Sequence, residues 1–447
     1  MKASFVKDVY NKLPEGVKKF TGSSIRKKLI ENEQFKAQFK ELVQAESKSA
    51  EELEAMQLGL LRKTCIHAYE HTAYYRELFD QVGFDPYSRF SFEEFSNKVP
   101  TISKQQVLDN FEAINSDDIS DDYPATTGGS SGTRLQVNNA WETFYRENAF
   151  HYHFMSLHGY DYKHDKTLLL AGEESEQLCS TSPLYNMIRV SSRYLNENNF
   201  SQALSFVNKA KPDIVIAIPS SAYQFCKYLR LSGLELDKKP KAVFYRSENV
   251  DPAQRKFIEA TFGCPSFAYY GSTERIAWGE EQANEDGIPL YSFNPLYGYT
   301  EIDCEDGISL VATGFINPKM PLIRYKTDDI LTQKPRGFFT IEGHRTAAIV
   351  GRDGENISVA SYAHLEESFN DIEKYQLEQF EKGKLIVNVV PRHQLSKDDM
   401  SRLQDMFERM SAGKLDIELH VTDHVELTPR GKFKLLLHAL PMEEPAI

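Results

Sequence analysis

The sequence contains no apolar run approaching the roughly 18 residues that a membrane-spanning helix requires. No apolar stretch follows the lysines near its start, so no secretory signal peptide is expected. Its cysteines, Cys65, Cys179, Cys226, Cys264 and Cys304, lie far apart and form no CxxC pair. That pattern excludes a disulfide framework and a zinc ribbon, and predicts reduced thiols in a cytoplasmic protein. Positive charge is in deficit: 52 basic against 65 acidic side chains leave a net charge of −13. A nucleic-acid-binding body would present a basic face, so that class is excluded. No internal repeat or low-complexity tract is present. What is there is 447 residues, 41% hydrophobic and 26% charged. This is the composition of a folded globular chain with room for about two to four domains.

Patterning divides the chain. The first 45 residues are lysine-rich, and Ser23–Gln44 places Ile25, Leu29, Phe35, Phe39 and Leu42 at approximately helical spacing. Such a helix either packs on the body or lies as a basic surface helix against anionic lipid or a partner; Glu31, Glu33 and Glu41 dilute its positive face. A longer helix is predicted from about Ala50 to Phe79. From Lys166 onward, short apolar runs bounded by turn residues (Lys166–Ala171, Asp213–Ile218, Lys241–Tyr245) read as buried strands. Helical segments at Phe200–Lys209, Ala222–Leu231 and Pro252–Phe262 alternate with them, which predicts an α/β layered domain. Ile308–Thr313 and Phe338–Glu342 read as antiparallel ribbons. Lys384–Val390 and Leu415–Val421 flank a helix near Lys397–Met410, a compact α+β unit. The expected division is a large body over 1–343, with a helical leader over 1–80, and a small domain over 344–447.

Several short motifs carry chemistry-bearing side chains. Thr126, Thr127, Gly128, Gly129, Ser130, Ser131, Gly132 and Thr133 read TTGGSSGT, in which small residues let backbone N–H groups converge on an anion. It is not a Walker A loop, because Thr133 and Arg134 follow Gly132 where a lysine would stand. Tyr270, Gly271, Ser272, Thr273 and Glu274 combine a ring that can stack on a purine, hydroxyls for a phosphate and a carboxylate for Mg²⁺. In Arg324–Asp329 (RYKTDD), a carboxylate at a strand end is a natural acceptor for two vicinal hydroxyls. Gly343-His344-Arg345 stands at the expected junction. Leu427–Lys432 (LTPRGK) shapes a loop that presents Lys432. Taken singly, each motif also reads as an ordinary turn or solvated surface.

In this order the series resembles the core motifs of adenylate-forming enzymes, nearest the branch of phenylacetate–CoA ligase, CapK and coenzyme F390 synthetase. YNKLP at Tyr10–Pro14, HTAYYRELF at His71–Phe79 and VPTISKQQV at Val99–Val107 look like that group's leader segments, so the resemblance spans nearly the whole chain. It implies a large N-terminal adenylate-forming domain of layered sheets and helices, with a small mobile α+β C-terminal domain. The implied reaction joins a carboxylate to ATP, giving acyl-AMP and pyrophosphate, and then passes the acyl group to a thiol, amine or hydroxyl. By the resemblance, Thr126–Thr133 would cradle phosphates, while Tyr270, Ser247 and Glu248 would line the adenine. Thr273 would contact the α-phosphate, and Glu274 would hold Mg²⁺. Asp329 would bind ribose, Arg345 would reach ribose or phosphate, and Lys432 would stabilise charge on the transferring phosphate.

Departures from the family pattern set further expectations. The phosphate loop reads GGSSGTR, and Thr346, Ala347 and Ala348 stand where relatives carry an acid after the hinge arginine. Trp278, Gly279, Glu280, Glu281 and Gln282 follow YGSTE where several relatives place Cys and His ligands, so no structural zinc is expected. The acyl pocket is the least legible part. His151, Tyr152, His153, Phe154, Tyr223 and Trp278 either contribute to it or pack ordinarily. HYH is a poor metal site, because i and i+2 do not share a helix face. Ser220-Ser221 reads as a helix N-cap. With −13 overall, attraction for ATP must come from local cations, expected at Arg324, Arg345 and Lys432. Two alternatives to a CapK-like transferase remain: an aryl- or acyl-CoA ligase, with CoA as acceptor, and a degenerate nucleotide-binding member without turnover.

Overall fold

The computed structural model describes residue 26 and residues 31–127, 135–171, 177–192, 194–303, 307–344, 348–352, 356–358, 372–411, 413–426, 435–438 and 440. The chain divides into two compact units, one comprising 1–170 and 177–342, the other 171–176 and 343–447.

In the first unit, parallel strands form because short apolar segments are buried on both faces. Thr167–Ala171, Ile214–Ala217, Val243–Tyr245 and Ser266–Gly271 pair in parallel in that order. The connecting helices Phe200–Ala210, Pro219–Ser232 and Pro252–Phe262 are amphipathic and bury Leu204, Val207, Phe225, Ile258 and Phe262 in one core with Val215, Val243 and Ala268. Pro219 and Pro252 open their helices at a position where a missing N–H costs nothing. Ser266–Gly271 then pairs antiparallel with Trp278–Glu285, and the sheet continues through Ile288–Phe293, Phe339–His344, Tyr325–Gln333, Ser309–Gly314 and Gly298–Ile302. The expected ribbons are therefore the antiparallel half of a 12-stranded sheet.

The single helix expected over Ala50–Phe79 is two helices, Ala50–His71 and Ala73–Val82. Thr72 breaks it: its backbone is extended, its hydroxyl donates to the Ala68 carbonyl at 2.7 Å, and its oxygen caps the Tyr75 N–H at 3.3 Å. Glu33–Ala45 is a helix capped by Asn32, and it packs Phe35 and Leu42 against Tyr152 and its neighbours on the helix Trp141–Leu157. This part of the N-terminal segment takes the packed alternative. Residues 1–25 and 27–30 lie outside the described residues, and no described helix is long and apolar enough to cross a membrane.

The second unit has a four-stranded sheet in the order Asp416–Val421, Lys384–Pro391, Ile372–Glu378, Leu436–His438. Lys384–Pro391 and Asp416–Val421 are parallel, joined by the helix Lys397–Met410. Ser396 and Asp399 cap that helix reciprocally, while Leu403, Met406 and Phe407 cover Leu377, Leu385 and Val387. LTPRGK falls in the connection to Leu436–His438, outside the described residues.

Candidate active site

In open α/β sheets, ligands bind beyond the carboxyl ends of parallel strands. Three predicted segments leave such ends side by side. Ile214–Ala217 leads to Ser220, Val243–Tyr245 to Ser247 and Glu248, and Ser266–Gly271 to Ser272, Thr273 and Glu274.

Glu248 accepts from the Ser220 backbone N–H at 3.2 Å and from its hydroxyl at 3.1 Å. Ser220 is thus not the N-cap that the sequence suggests. Ile218 occupies that position, and the Glu248 carboxylate satisfies a backbone N–H in the first turn of Pro219–Ser232. Ser221 donates to the Ser192 hydroxyl at 2.9 Å. Ser247 itself is exposed and left-handed at φ 68°, a turn that places Glu248 back over the helix end.

Tyr270 and Asp329 come from motifs almost sixty residues apart, and the Tyr270 hydroxyl donates to Asp329 Oδ2. Asp329 is buried, and its own N–H is held by Thr327 Oγ1 at 3.1 Å. Burial first, then the Asp329 charge, pushes the Tyr270 phenol well above its ordinary range, so it stays a proton donor. Glu274 also raises Tyr270, and burial first, then Glu274, Asp328 and Asp329, raise the Tyr325 phenol. The Ser272 hydroxyl is buried without a protein partner, as expected of a group that serves a ligand.

The phosphate-loop residues Thr126 and Thr127 stand at the end of a hairpin. Asp122–Thr126 pairs antiparallel with Gln136–Ala140. The hairpin closes through Thr127 N–H to the Leu135 carbonyl at 2.9 Å and Leu135 N–H to Thr127 Oγ1 at 3.0 Å. Gly128–Thr133, the rest of that loop, lie outside the described residues, as do Arg345 and Lys432.

Sequence reasoning missed the support beneath this turn. Gly298 and Gly314 face each other across two strands. A Cβ on Gly298 would meet the Ile276 carbonyl oxygen at 2.1 Å, and one on Gly314 the Arg275 carbonyl oxygen at 2.2 Å. Only glycine lets the chain leaving Glu274 lie this close. Arg275 itself is left-handed at φ 58° and pairs with Glu147 of Trp141–Leu157. Burial raises the Glu147 carboxyl, with Arg275 opposing, while Tyr297 and Tyr123 of the hairpin also face Arg275. His151 lies one turn from Glu147, at 3.9 Å, and edge-on to Trp278 at 4.5 Å. Burial first, then Arg275 and Arg246, hold its imidazole down to about 3.

The other candidate pocket residues pack ordinarily. Tyr152 stacks on Tyr162, His153 bonds Glu46 at 2.8 Å, Phe154 meets Phe244, and Tyr223 meets Phe257. After YGSTE, Glu280 accepts from Trp278 Nε1 at 2.9 Å and Asn294 at 3.0 Å, while Glu281 pairs with Arg255 at 2.8 Å. Arg324, expected as a local cation for ATP, is committed elsewhere. It is buried, gripped bidentately by Glu301 at 3.0 and 3.1 Å, and donates to the Ser96 and Val99 carbonyls.

No protein-family profile matches the chain. Protein CapK of Staphylococcus aureus is 21% identical over 375 residues, covering 76% of this chain and 80% of CapK. Phenylacetate-coenzyme A ligase of Aromatoleum evansii is 25% identical over 340 residues, covering 70% of this chain and 73% of the ligase. Among solved structures, 2-hydroxyisobutyryl-CoA ligase in the postadenylation state with R3-HIB-AMP superposes with a TM-score of 0.67 at 16% identity, over 88% of this chain and 90% of that one. The shared fold is a large adenylate-forming domain with a small C-terminal domain. With the motif order, these matches support a likeness to the adenylate-forming superfamily, nearest the branch that holds phenylacetate–CoA ligase and CapK. It is an enzyme of the ligase or synthetase kind.

Proposed function

We propose that this protein activates a carboxylic acid with ATP and Mg²⁺ as an acyl-adenylate in a reduced cytoplasmic setting. It then transfers the acyl group to a sugar amine or hydroxyl in surface-polysaccharide synthesis. The observation that supports adenylation most is the Tyr270–Asp329 hydrogen bond beside Glu274, which joins an aromatic platform, a hydroxyl-binding carboxylate and a cation ligand.

In this reading a carboxylate oxygen of the acid bonds to the α-phosphorus, and the bond to the bridging oxygen breaks. Pyrophosphate leaves with the electron pair. Tyr270 lies along adenine with its hydroxyl fixing Asp329, whose carboxylate takes the ribose hydroxyls. Ser247 and Glu248 border the adenine, and Glu248 also keeps the neighbouring helix end closed. Thr126–Thr133 cradle the departing phosphates, Ser272 and Thr273 offer hydroxyls, and Gly271 keeps the approach open. Oxygen donors suit Mg²⁺, so Glu274 would hold it, supplying charge neutralisation at the phosphates. Lys432 and Arg345 supply the remaining positive charge, with Lys432 entering on a mobile small domain for the first step and leaving for the second. In that second step the acceptor attacks the acyl carbon and AMP departs.

Lys432→Ala should lower ATP–pyrophosphate exchange by more than about 100-fold, while preformed acyl-AMP is still consumed. Unchanged exchange would refute the role of Lys432. A CoA acceptor is the second reading, supported by two relatives named phenylacetate-coenzyme A ligases. AMP release that depends on CoA would select it.

A further inference from the structure

Away from the motifs, two histidines and a carboxylate converge where three segments meet. His67 and His71 stand four residues apart on Ala50–His71 and so share a face, with ring centroids 5.0 Å apart. Asp118 arrives from the chain that leads into the hairpin. His67, His71 and Asp118 each offer one ligating atom, and these atoms all lie within 4.8 Å of one another. The Glu70 carboxylate stands 3.9 Å from His71 Nε2 as a further oxygen.

The outer contacts are those of a ligand set. His71 Nδ1 lies 3.2 Å from Asp117 Oδ1, which leaves Nε2, 3.7 Å from Asp118 Oδ2, to carry the lone pair. His67 Nε2 lies 2.9 Å from the Pro318 carbonyl and donates there, which leaves Nδ1 with the lone pair. Metal-bound imidazoles characteristically have the second nitrogen held by a carboxylate or a carbonyl. Both rings here are held this way.

From this geometry we infer a divalent-cation site at His67, His71 and Asp118 that takes a borderline ion of the zinc class. Two imidazoles and one carboxylate suit Zn²⁺, Co²⁺ or Ni²⁺ rather than Mg²⁺ or Ca²⁺. Side-chain rotation brings the donors to the roughly 2.0–2.2 Å that such ions require. The donor set is distinct from the Cys/His set absent after YGSTE, and a zinc-class ion bound here would overturn the expectation of no structural zinc.

The site's role follows from what it ties together. Asp117 N–H donates to the His71 carbonyl at 3.0 Å, and Ser116 N–H to the Lys319 carbonyl at 2.7 Å. Lys319 Nζ returns to the Ser116 and Ile119 carbonyls at 2.8 and 2.9 Å. An ion would therefore brace a helix end, the Pro318–Lys319 turn and the entry to the phosphate-loop hairpin.

The test adds Co²⁺ to the chelator-treated full chain at neutral pH and follows its visible absorption and equilibrium dialysis. Wild type should bind one equivalent that His71→Asn and His67→Gln lose, with affinity in Asp118→Asn at least tenfold weaker. His420→Gln, on the other unit, should behave as wild type. Absence of binding in wild type, or equal binding in folded His71→Asn and Asp118→Asn, would overturn the assignment. Circular dichroism establishes that each variant is folded.

Discussion

In the proposed site Tyr270 offers both a ring and a hydroxyl, and the two are separable. Tyr270→Phe keeps the ring but frees the Asp329 carboxylate that the hydroxyl orients. A hydrogen bond to a charged group is worth about 1.5–3 kcal/mol, so the KM for ATP should rise about tenfold or more while kcat changes less, as steady-state pyrophosphate release would read. His151 makes a pH prediction. Its pKa is depressed to about 3 in the folded chain, against about 6.5 when unfolded. Below the higher value the unfolded state takes up a proton that the folded state does not. His151 therefore favours folding above about pH 6.5 and loses that contribution as pH falls toward 3. His151→Phe should flatten the acid side of the Tm–pH profile; an unchanged profile would contradict the burial argument. Arg324 teaches a different lesson. RYKTDD offers a cation that looks available, but Glu301 and two carbonyls take it. Nothing in the local sequence announces a partner 23 residues earlier.

At the scale of elements, the leader segments acquire a physical role. The Tyr75 hydroxyl accepts from the Ile323 N–H at 2.9 Å. Ile102 makes a parallel bridge with Tyr325, through its N–H to the Arg324 carbonyl at 3.0 Å and from Lys326 N–H to its own carbonyl at 2.9 Å. Both segments thus hold the start of the strand that carries Asp329. Tyr75→Phe leaves a buried N–H unpaired and should cost about 1–3 kcal/mol, lowering the urea midpoint without changing the slope. Gly314→Ala should be worse for function than for folding. Its Cβ would push on the Arg275 carbonyl and shift Glu274, so exchange activity should fall by at least tenfold in a variant that still unfolds cooperatively.

The parallel strands were legible because apolar runs such as Thr167–Ala171 are buried on both faces. Trp278–Glu285 was not, because WGEEQANE looks like solvated chain. Its buried Glu280 and Glu281 are tolerated only through Trp278, Asn294 and Arg255, partners that no window of sequence contains. The site divides along the same line. Motif order singled out Tyr270, Glu274 and Asp329 as candidates, of which the structure joins Tyr270 to Asp329, whereas Gly298, Gly314 and the Glu147–Arg275 pair depend on tertiary approach alone.

The whole molecule carries −13, so its attraction for a polyphosphate is local. With Arg324 committed to Glu301, the expected cations reduce to Arg345 and Lys432, both tied to the second unit or its junction. The central claim is acid activation by ATP. It is tested most directly by pyrophosphate release from ATP across a panel of aryl, fatty, hydroxy and amino acids, with and without CoA. The account predicts release with one class of acid, stoichiometric with AMP and abolished in Asp329→Ala. Release with no acid, or release that persists unchanged in Asp329→Ala, would contradict it.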